Sequence, residues 1–431
     1  MNAFDSIIGY DSLKEELQRI ADTLKNLEVY EALGVSAPKG LLLHGEPGVG
    51  KTTMAKALVE ASGREAFFCR KSKADGEFVD AIRETFDRAA ETAPAIVFLD
   101  DMDKFSNDDS DHPNSDEYVT VQTCIDEVKD KNVFVLATAN ELRSLPRSLT
   151  RAGRFDRVIK IEAPCGDDAV RVVEHYLRRK KMAQDLDAKV IAEIMPGRTC
   201  ADLETVVNEA GLLAGYRRSD RITMEHVLEA CMTTVYNVPV SCAKASQDID
   251  PESTQAASLI AWHEAGHAVI KEVLSPGCVS LLSARCRLGA HSGFTVYTPS
   301  AKRNTLEEQK WHIIASLGGR AALEVRFGLF DMGSGRDLDK AFQAARDLIE
   351  NQCFGGFSLY CYREDSQKLK ESQEAATAAA MEEYYRKAKE ILCANLPFLE
   401  ALAHELAKKG VLTAAEIRVI REGCSVAENA G

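Results

Sequence analysis

Near the start of the chain the apolar residues Leu13, Leu17, Ile20, Leu24 and Leu27 recur at threes and fours, the period of one helix face. That spacing predicts an amphipathic helix from Asp11 to about Leu33. After the turn Ala37-Pro38-Lys39-Gly40 the pattern changes to short, wholly apolar runs: Leu41-Leu42-Leu43, Ile96-Val97-Phe98-Leu99 and Val133-Phe134-Val135-Leu136. Such runs, alternating with helix formers such as Met54 to Ala61, suit strands buried on both faces of a parallel sheet. An α/β domain is therefore expected over residues 1–163. The strand signal then fades, and residues 164–236 read as a small helical domain in which Met195-Pro196-Gly197 precedes a helix from Asp202 to Gly215. Residues 237–253 mix Pro, Ser and Asp without periodicity and are read as the linker. Residues 254–425 are expected to form a mainly helical domain, interrupted by an edge strand at Ser292 to Tyr297.

Composition narrows the class of partner. The 431 residues are 45% hydrophobic and 28% charged, a balance that excludes disorder and leaves room for several cores. Fifty-three bases against 67 acids leave a net charge of −14, which disfavours nucleic acid as a partner. No apolar stretch is long enough to cross a bilayer and the first residues lack a basic region leading into an apolar one, so the expectation is a soluble cytoplasmic protein without an integral membrane segment. The twelve cysteines contain no CxxC and are read as reduced thiols. Eight acids between Asp100 and Glu117 lack the ligand spacing of a calcium loop and are read as a solvated loop.

Two motifs carry chemistry. Gly45-Glu46-Pro47-Gly48-Val49-Gly50-Lys51-Thr52 fits GxxxxGK[ST] between an expected strand and an expected helix. In that setting backbone N–H groups cradle phosphates, Lys51 adds a point charge, and the Thr52 hydroxyl can ligate Mg²⁺ of a bound ATP. The run Ile96 to Leu99 ends in Asp100-Asp101, which places Asp100 in the Mg²⁺ shell and Asp101 beside the attacking water. Asn140, after the third run, reaches the same sheet edge, where its amide can orient water. Arg151 and Arg154, in Arg151-Ala152-Gly153-Arg154-Phe155-Asp156-Arg157, are candidate arginines delivered late, often from a neighbouring chain.

His263-Glu264-Ala265-Gly266-His267 is an HExxH in an apolar helical run. Residues at i and i+4 share a face, so both imidazoles can hold one Zn²⁺ while Glu264 serves as general base. A catalytic zinc needs a third protein ligand. The extended metzincin pattern is absent, because Ile270 and Val273 stand where Gly and His are required, and spacing leaves His291, His312, Glu324, Asp331, Asp337 and Asp339 open.

Together these residues resemble the FtsH family of AAA+ ATP-dependent zinc proteases over nearly the whole chain. Beside GEPGVGKT and HEAGH, the family's LRPGRFDR is similar to LTRAGRFDR here, its GADL…NEA to Cys200-Ala201-Asp202-Leu203…Asn208-Glu209-Ala210, and its LGGRAAEE to Leu317-Gly318-Gly319-Arg320-Ala321-Ala322-Leu323-Glu324. The resemblance implies an AAA+ domain with a helical lid followed by a zinc metallopeptidase domain. It selects Asp337 as third zinc ligand, makes Arg151 and Arg154 fingers into the next subunit, and implies a homohexameric ring that threads polypeptide substrates into a protease chamber.

Four departures shape the expectation. Family members are tethered by N-terminal membrane helices, whereas this sequence opens on the ATPase module, which puts membrane-protein extraction in doubt. The family's Asp-Glu is Asp100-Asp101 here, and a carboxylate shorter by one methylene predicts slower hydrolysis. The pore aromatic aligns with Ala74, which predicts weak threading, and Asp126-Glu127-Val128 replaces the family's Asp-Gly-Phe turn, which predicts altered coupling between subunits. Two rivals follow: an AAA+ remodelling chaperone with structural zinc, and a zinc peptidase whose nucleotide site is mainly regulatory.

Overall fold

A computed structural model describes residues 3–71, 75–105, 116–151, 153–243, 251–286, 293–298, 305–329, 334–351 and 367–427, with backbone alone for 75, 76, 242, 243, 251–258 and 367–369. The chain divides into two units, one of residues 1–179 with 197–205, the other of residues 180–196 with 206–431.

The first unit is built on the apolar runs. They form β1 (Gly40–His44), β3 (Ala95–Leu99) and β4 (Val133–Ala139), joined by β2 (Glu65–Cys69) and β5 (Arg157–Lys160) in the parallel order β2-β3-β4-β1-β5. Successive side chains of a strand point to opposite faces, and both faces are covered. Leu41, Leu43, Ile96, Phe98, Phe134 and Leu136 pack against the helices Asp11–Lys25 and Lys51–Ser62 through Leu17, Ile20, Leu24, Met54 and Leu58. On the other face Leu42, Val97, Leu99, Val135 and Ala137 meet Phe78, Phe86, Phe105 and Tyr118.

The expected central strands are the observed central strands. β2 and β5 had no all-apolar run to announce them, because an edge strand buries less of itself; β5 is largely exposed. The first helix also ends earlier than expected. It breaks at Asn26, and a second piece, Leu27–Ala32, has no buried residue, leaving Val29 and Leu33 in solvent. Ala74 and the acids between 106 and 115 lie outside the described residues.

In the second unit the HExxH belongs to a 24-residue helix, Pro251–Leu274, flanked by Gly318–Phe327 and Leu396–Lys409. Ala261, Ala265, Ala268, Val269, Leu317, Ala321, Ala322, Leu399 and Leu402 fill the space between them. A three-stranded antiparallel sheet, in the order β7-β6-β8, lies beside the helix: β6 is Val279–Ser283, β7 Phe294–Tyr297 and β8 Val411–Thr413. The expected edge strand is β7. β6 and β8 are strands in a region read as helical, since runs of five and three residues carry little period of their own. The segment read as linker contains the short helix Val240–Ala243, and the following helix already begins at Pro251. Among the described residues no helix is long and apolar enough to cross a membrane.

Candidate active sites

The phosphate loop links β1 to the helix Lys51–Ser62, and Gly48 and Gly50 hold φ of 88° and 100°, a region costly for residues with a Cβ. Lys51 is buried and donates to Gly45 O at 2.7 Å, Glu46 O at 2.9 Å and Asn140 Oδ1 at 2.9 Å. Burial holds its pKa below the ordinary lysine value, opposed by the carboxylates of Asp101, Asp103 and Asp100. Asp100, at the end of β3, accepts from Thr52 Oγ1 at 3.0 Å and from Thr138 Oγ1 at 2.8 Å. The hydroxyl and carboxylate read as Mg²⁺ ligands are thus adjacent, and the cradle fits a nucleoside triphosphate with its cation.

Asp101 takes a left-handed backbone, φ 54°, and its Oδ2 accepts from Arg70 at 3.0 Å and Lys104 at 2.9 Å. Burial alone would raise its pKa; Lys104 and Arg70 outweigh that and hold the carboxyl below the usual range. Beside the loop lies a cavity of about 120 Å³ whose lining includes Ile8, Tyr10, Met54, His175, Tyr176 and Cys200, a slot of mixed apolar and aromatic character that can take a flat base. These residues come from four separate stretches of chain, so no local motif marked them.

Arg151 and Arg154 lie elsewhere. The backbone of Arg154 packs on Gly40, at the start of β1, while the phosphate loop follows its end. The Arg154 guanidinium is held by Asp126 Oδ2 at 2.8 Å, Gln122 Oε1 at 2.9 Å and Ser148 O at 2.9 Å; Arg151 is exposed.

The HExxH helix turns His263 and His267 the same way, with their Nε2 atoms 3.1 Å apart. Asp337, in the first turn of the helix Gly335–Glu350, brings Oδ2 to 3.3 Å from His263 Nε2 and 3.4 Å from His267 Nε2. His267 Nδ1 lies 2.7 Å from Ala315 O, a carbonyl that only accepts, so Nδ1 donates there and fixes the ring with Nε2 turned toward Asp337. Two ring nitrogens and a carboxylate oxygen within 4.8 Å of one another are a set of groups that could hold a zinc ion, whose catalytic sites take three protein ligands. Burial would raise the pKa of Asp337, but hydrogen bonds from both histidines overcome this and hold it far below the usual carboxylate range.

Close helix contact makes this possible. A Cβ on Gly266 would stand 2.3 Å from Gly318 O, and one on Gly319 would stand 2.4 Å from His263 Nε2. Glu264 is buried, and its Oε2 accepts from Thr295 Oγ1 of β7 at 2.9 Å. Burial pushes its carboxyl up, toward the value of an efficient base, while His267, His263 and the Thr295 bond pull the other way. Among the other candidates for third ligand, His312 pairs with Lys271 at 2.6 Å, Glu324 bonds Tyr385 and Lys389, and Asp339 is exposed; His291 and Asp331 lie outside the described residues.

A P-loop ATPase unit and a buried His-His-Asp metal site with a carboxylate at hand define an ATPase joined to a metallopeptidase. Residues 41–163 match the ATPase family associated with various cellular activities (AAA), residues 185–229 the AAA+ lid domain, and residues 252–420 peptidase family M41. The ATP-dependent zinc metalloprotease FtsH 2 of Petrotoga mobilis is 30% identical over 97% of this chain and 70% of its own length. For the FtsH of Helicobacter felis the figures are 30%, 99% and 71%. The FtsH of Leptotrichia buccalis is 36% identical over 81% of this chain, a match spanning 46% of that protein. The chain belongs to the FtsH family of ATP-dependent zinc metalloproteases.

Proposed function

We propose that this protein is an ATP-dependent zinc endopeptidase that unfolds and degrades cytoplasmic polypeptides as a homo-oligomeric, hexameric ring. One observation carries the reading: His263, His267 and Asp337 converge within 4.8 Å of one another beside the buried Glu264. We assign ATP turnover to residues 1–163, the lid to 164–236, a linker to 237–253 and cleavage to 254–425. Within these, Gly45, Glu46, Pro47, Gly48, Val49, Gly50, Lys51 and Thr52 cradle the phosphates, Asp100 and Thr52 hold Mg²⁺, Asp101 and Asn140 orient the attacking water, and Arg151 and Arg154 reach a neighbouring subunit's nucleotide.

His263, His267 and Asp337 would hold a zinc ion, which when bound would supply Lewis acidity for the peptide carbonyl and the attacking water. Glu264 takes the proton from that water on Oε1, since Oε2 is held by Thr295, and returns it to the leaving nitrogen as the C–N bond breaks. Among the described strands β7 pairs only with β6, so its other edge can align an extended substrate by backbone hydrogen bonds.

The ion pairs of Asp101 with Arg70 and Lys104 favour a second reading, in which nucleotide chiefly holds the ring together. Casein digestion with and without ATP by wild type, Lys51→Ala and Glu264→Gln separates the cases. The main reading expects ATP-stimulated cleavage lost in both variants, by about 100-fold or more for Glu264→Gln. Loss in the Glu264 variant alone supports the second reading. No cleavage by any of the three supports a remodelling chaperone with structural zinc.

A further inference from the structure

Asp103 belongs to no part of the assignment above, yet it grips Asn140, whose amide meets Lys51 of the phosphate loop. The left-handed backbone of Asp101 turns the chain into the short helix Met102–Lys104, which is anchored by the fully buried Met102 and Phe105 and by Tyr118 Oη donating to Met102 O at 3.1 Å. From this support the Asp103 carboxylate takes both donors of Asn140: Oδ1 accepts the backbone N–H at 3.0 Å and Oδ2 accepts Nδ2 at 2.8 Å. An ionised carboxylate only accepts, so the amide must turn its NH₂ to Asp103. Its oxygen is left on the opposite side, where it accepts from Lys51 Nζ at 2.9 Å.

We propose that Asp103 is a positioning residue for ATP hydrolysis, one that locks Asn140 with its carbonyl oxygen toward the nucleotide. In this orientation Asn140 Oδ1 cannot donate to a phosphate oxygen, which it would repel. It accepts a hydrogen from the attacking water once the phosphates draw Lys51 away, and so aims a water lone pair at the γ-phosphorus. The P–O bond forms on that lone pair as the bond to the β–γ bridging oxygen breaks, and the water's proton leaves toward Asp101. The inference rests on the ATPase reading of this site.

The test is steady-state ATPase kinetics with binding of a fluorescent ATP analogue. In Asp103→Asn the new NH₂ opposes the NH₂ of Asn140 and favours the flipped amide. We expect kcat to fall at least about 10-fold, with KM and analogue affinity changed less than about threefold. Asn140→Asp sets carboxylate against carboxylate and should be equally slow. The double variant Asp103→Asn/Asn140→Asp restores one donor facing one acceptor, with a second oxygen toward Lys51, and should exceed either single variant by about 10-fold or more. Wild-type kcat in Asp103→Asn, loss of analogue binding in it, or a double variant no faster than the slower single each overturns the proposal alone. Hydrolysis unaffected by Lys51→Ala overturns the ATPase reading and this inference with it.

Discussion

Gly319 shows how much of the metal site depends on an atom that is missing. The HExxH helix and the helix Gly318–Phe327 meet backbone to backbone, with Gly266 against Gly318 and the His263 ring against Gly319. A methyl group on Gly319 would fall 2.4 to 2.6 Å from three ring atoms, distances no side chain tolerates. Gly319→Ala should therefore move His263 off its partners, and elemental analysis should find the zinc content reduced to a small fraction of wild type. Asp337→Asn removes the ligand charge and should weaken zinc binding by about 10-fold or more, read by competition with a chelator. Glu264→Gln, which removes a base and no ligand, should keep its zinc. Equal zinc in wild type and both ligand-site variants would show that the metal is held elsewhere.

At the scale of elements, the small sheet that carries Thr295 ends in β8, and the helix Ala414–Glu422 that follows starts with a capping box. Glu416 accepts from the Thr413 N–H at 2.8 Å and from Thr413 Oγ1 at 2.9 Å, and it pairs with Lys409 at 2.8 Å. Burial would raise the Glu416 pKa, but Lys409 and the Thr413 donors override it and depress the folded value. A carboxylate with a depressed folded pKa adds stability that is fully present above its unfolded value, about 4.3, and is lost as pH falls through the folded value. Because Glu416 and Lys409 are partly exposed, the cap rather than the ion pair sets the size, about 1 kcal/mol. Glu416→Gln, which can still accept from the Thr413 N–H, should lower the amide-exchange protection of residues 414–422 by less than about fivefold at pH 7, with the difference shrinking as pH falls below about 4.3. A pH-independent difference would assign the effect to shape instead.

For the whole molecule, the position of Arg154 is the informative feature. Its backbone packs at the start of β1, whereas the phosphate loop follows the end of that strand, a placement consistent with the proposed reach of Arg151 and Arg154 to a neighbour's nucleotide. Lys51→Ala and Arg151→Ala proteins should each lack ATPase activity alone. Mixed under subunit exchange they should recover part of it, because a Lys51→Ala subunit still lends its arginine to an intact phosphate loop. Native mass should rise about sixfold over the monomer when ATP is added. Failure of complementation with assembly intact would place the arginines in cis.

Patterns confined to a few consecutive residues were legible from the residue order: the three central strands, the phosphate loop, and two histidines one helical turn apart. Each depends on local sterics and on burial that forces apolar runs, and both act over short stretches of chain. The edge strands β2 and β5 and the short strands β6 and β8 were not legible, because partners distant in sequence hold them. The proposed third ligand illustrates the limit: spacing left six candidates, and the resemblance to a family, not periodicity, chose among them. Only packing, through two glycine contacts and a helix that begins at Gly335, carries Asp337 across 74 residues to the histidines. Asp103 was passed over for the same reason, since its partner Asn140 lies 37 residues away. Residue order determined which chemical groups were present and what each could do locally; the tertiary structure decided which of them meet, because a contact between distant residues is created by the core that both help to bury.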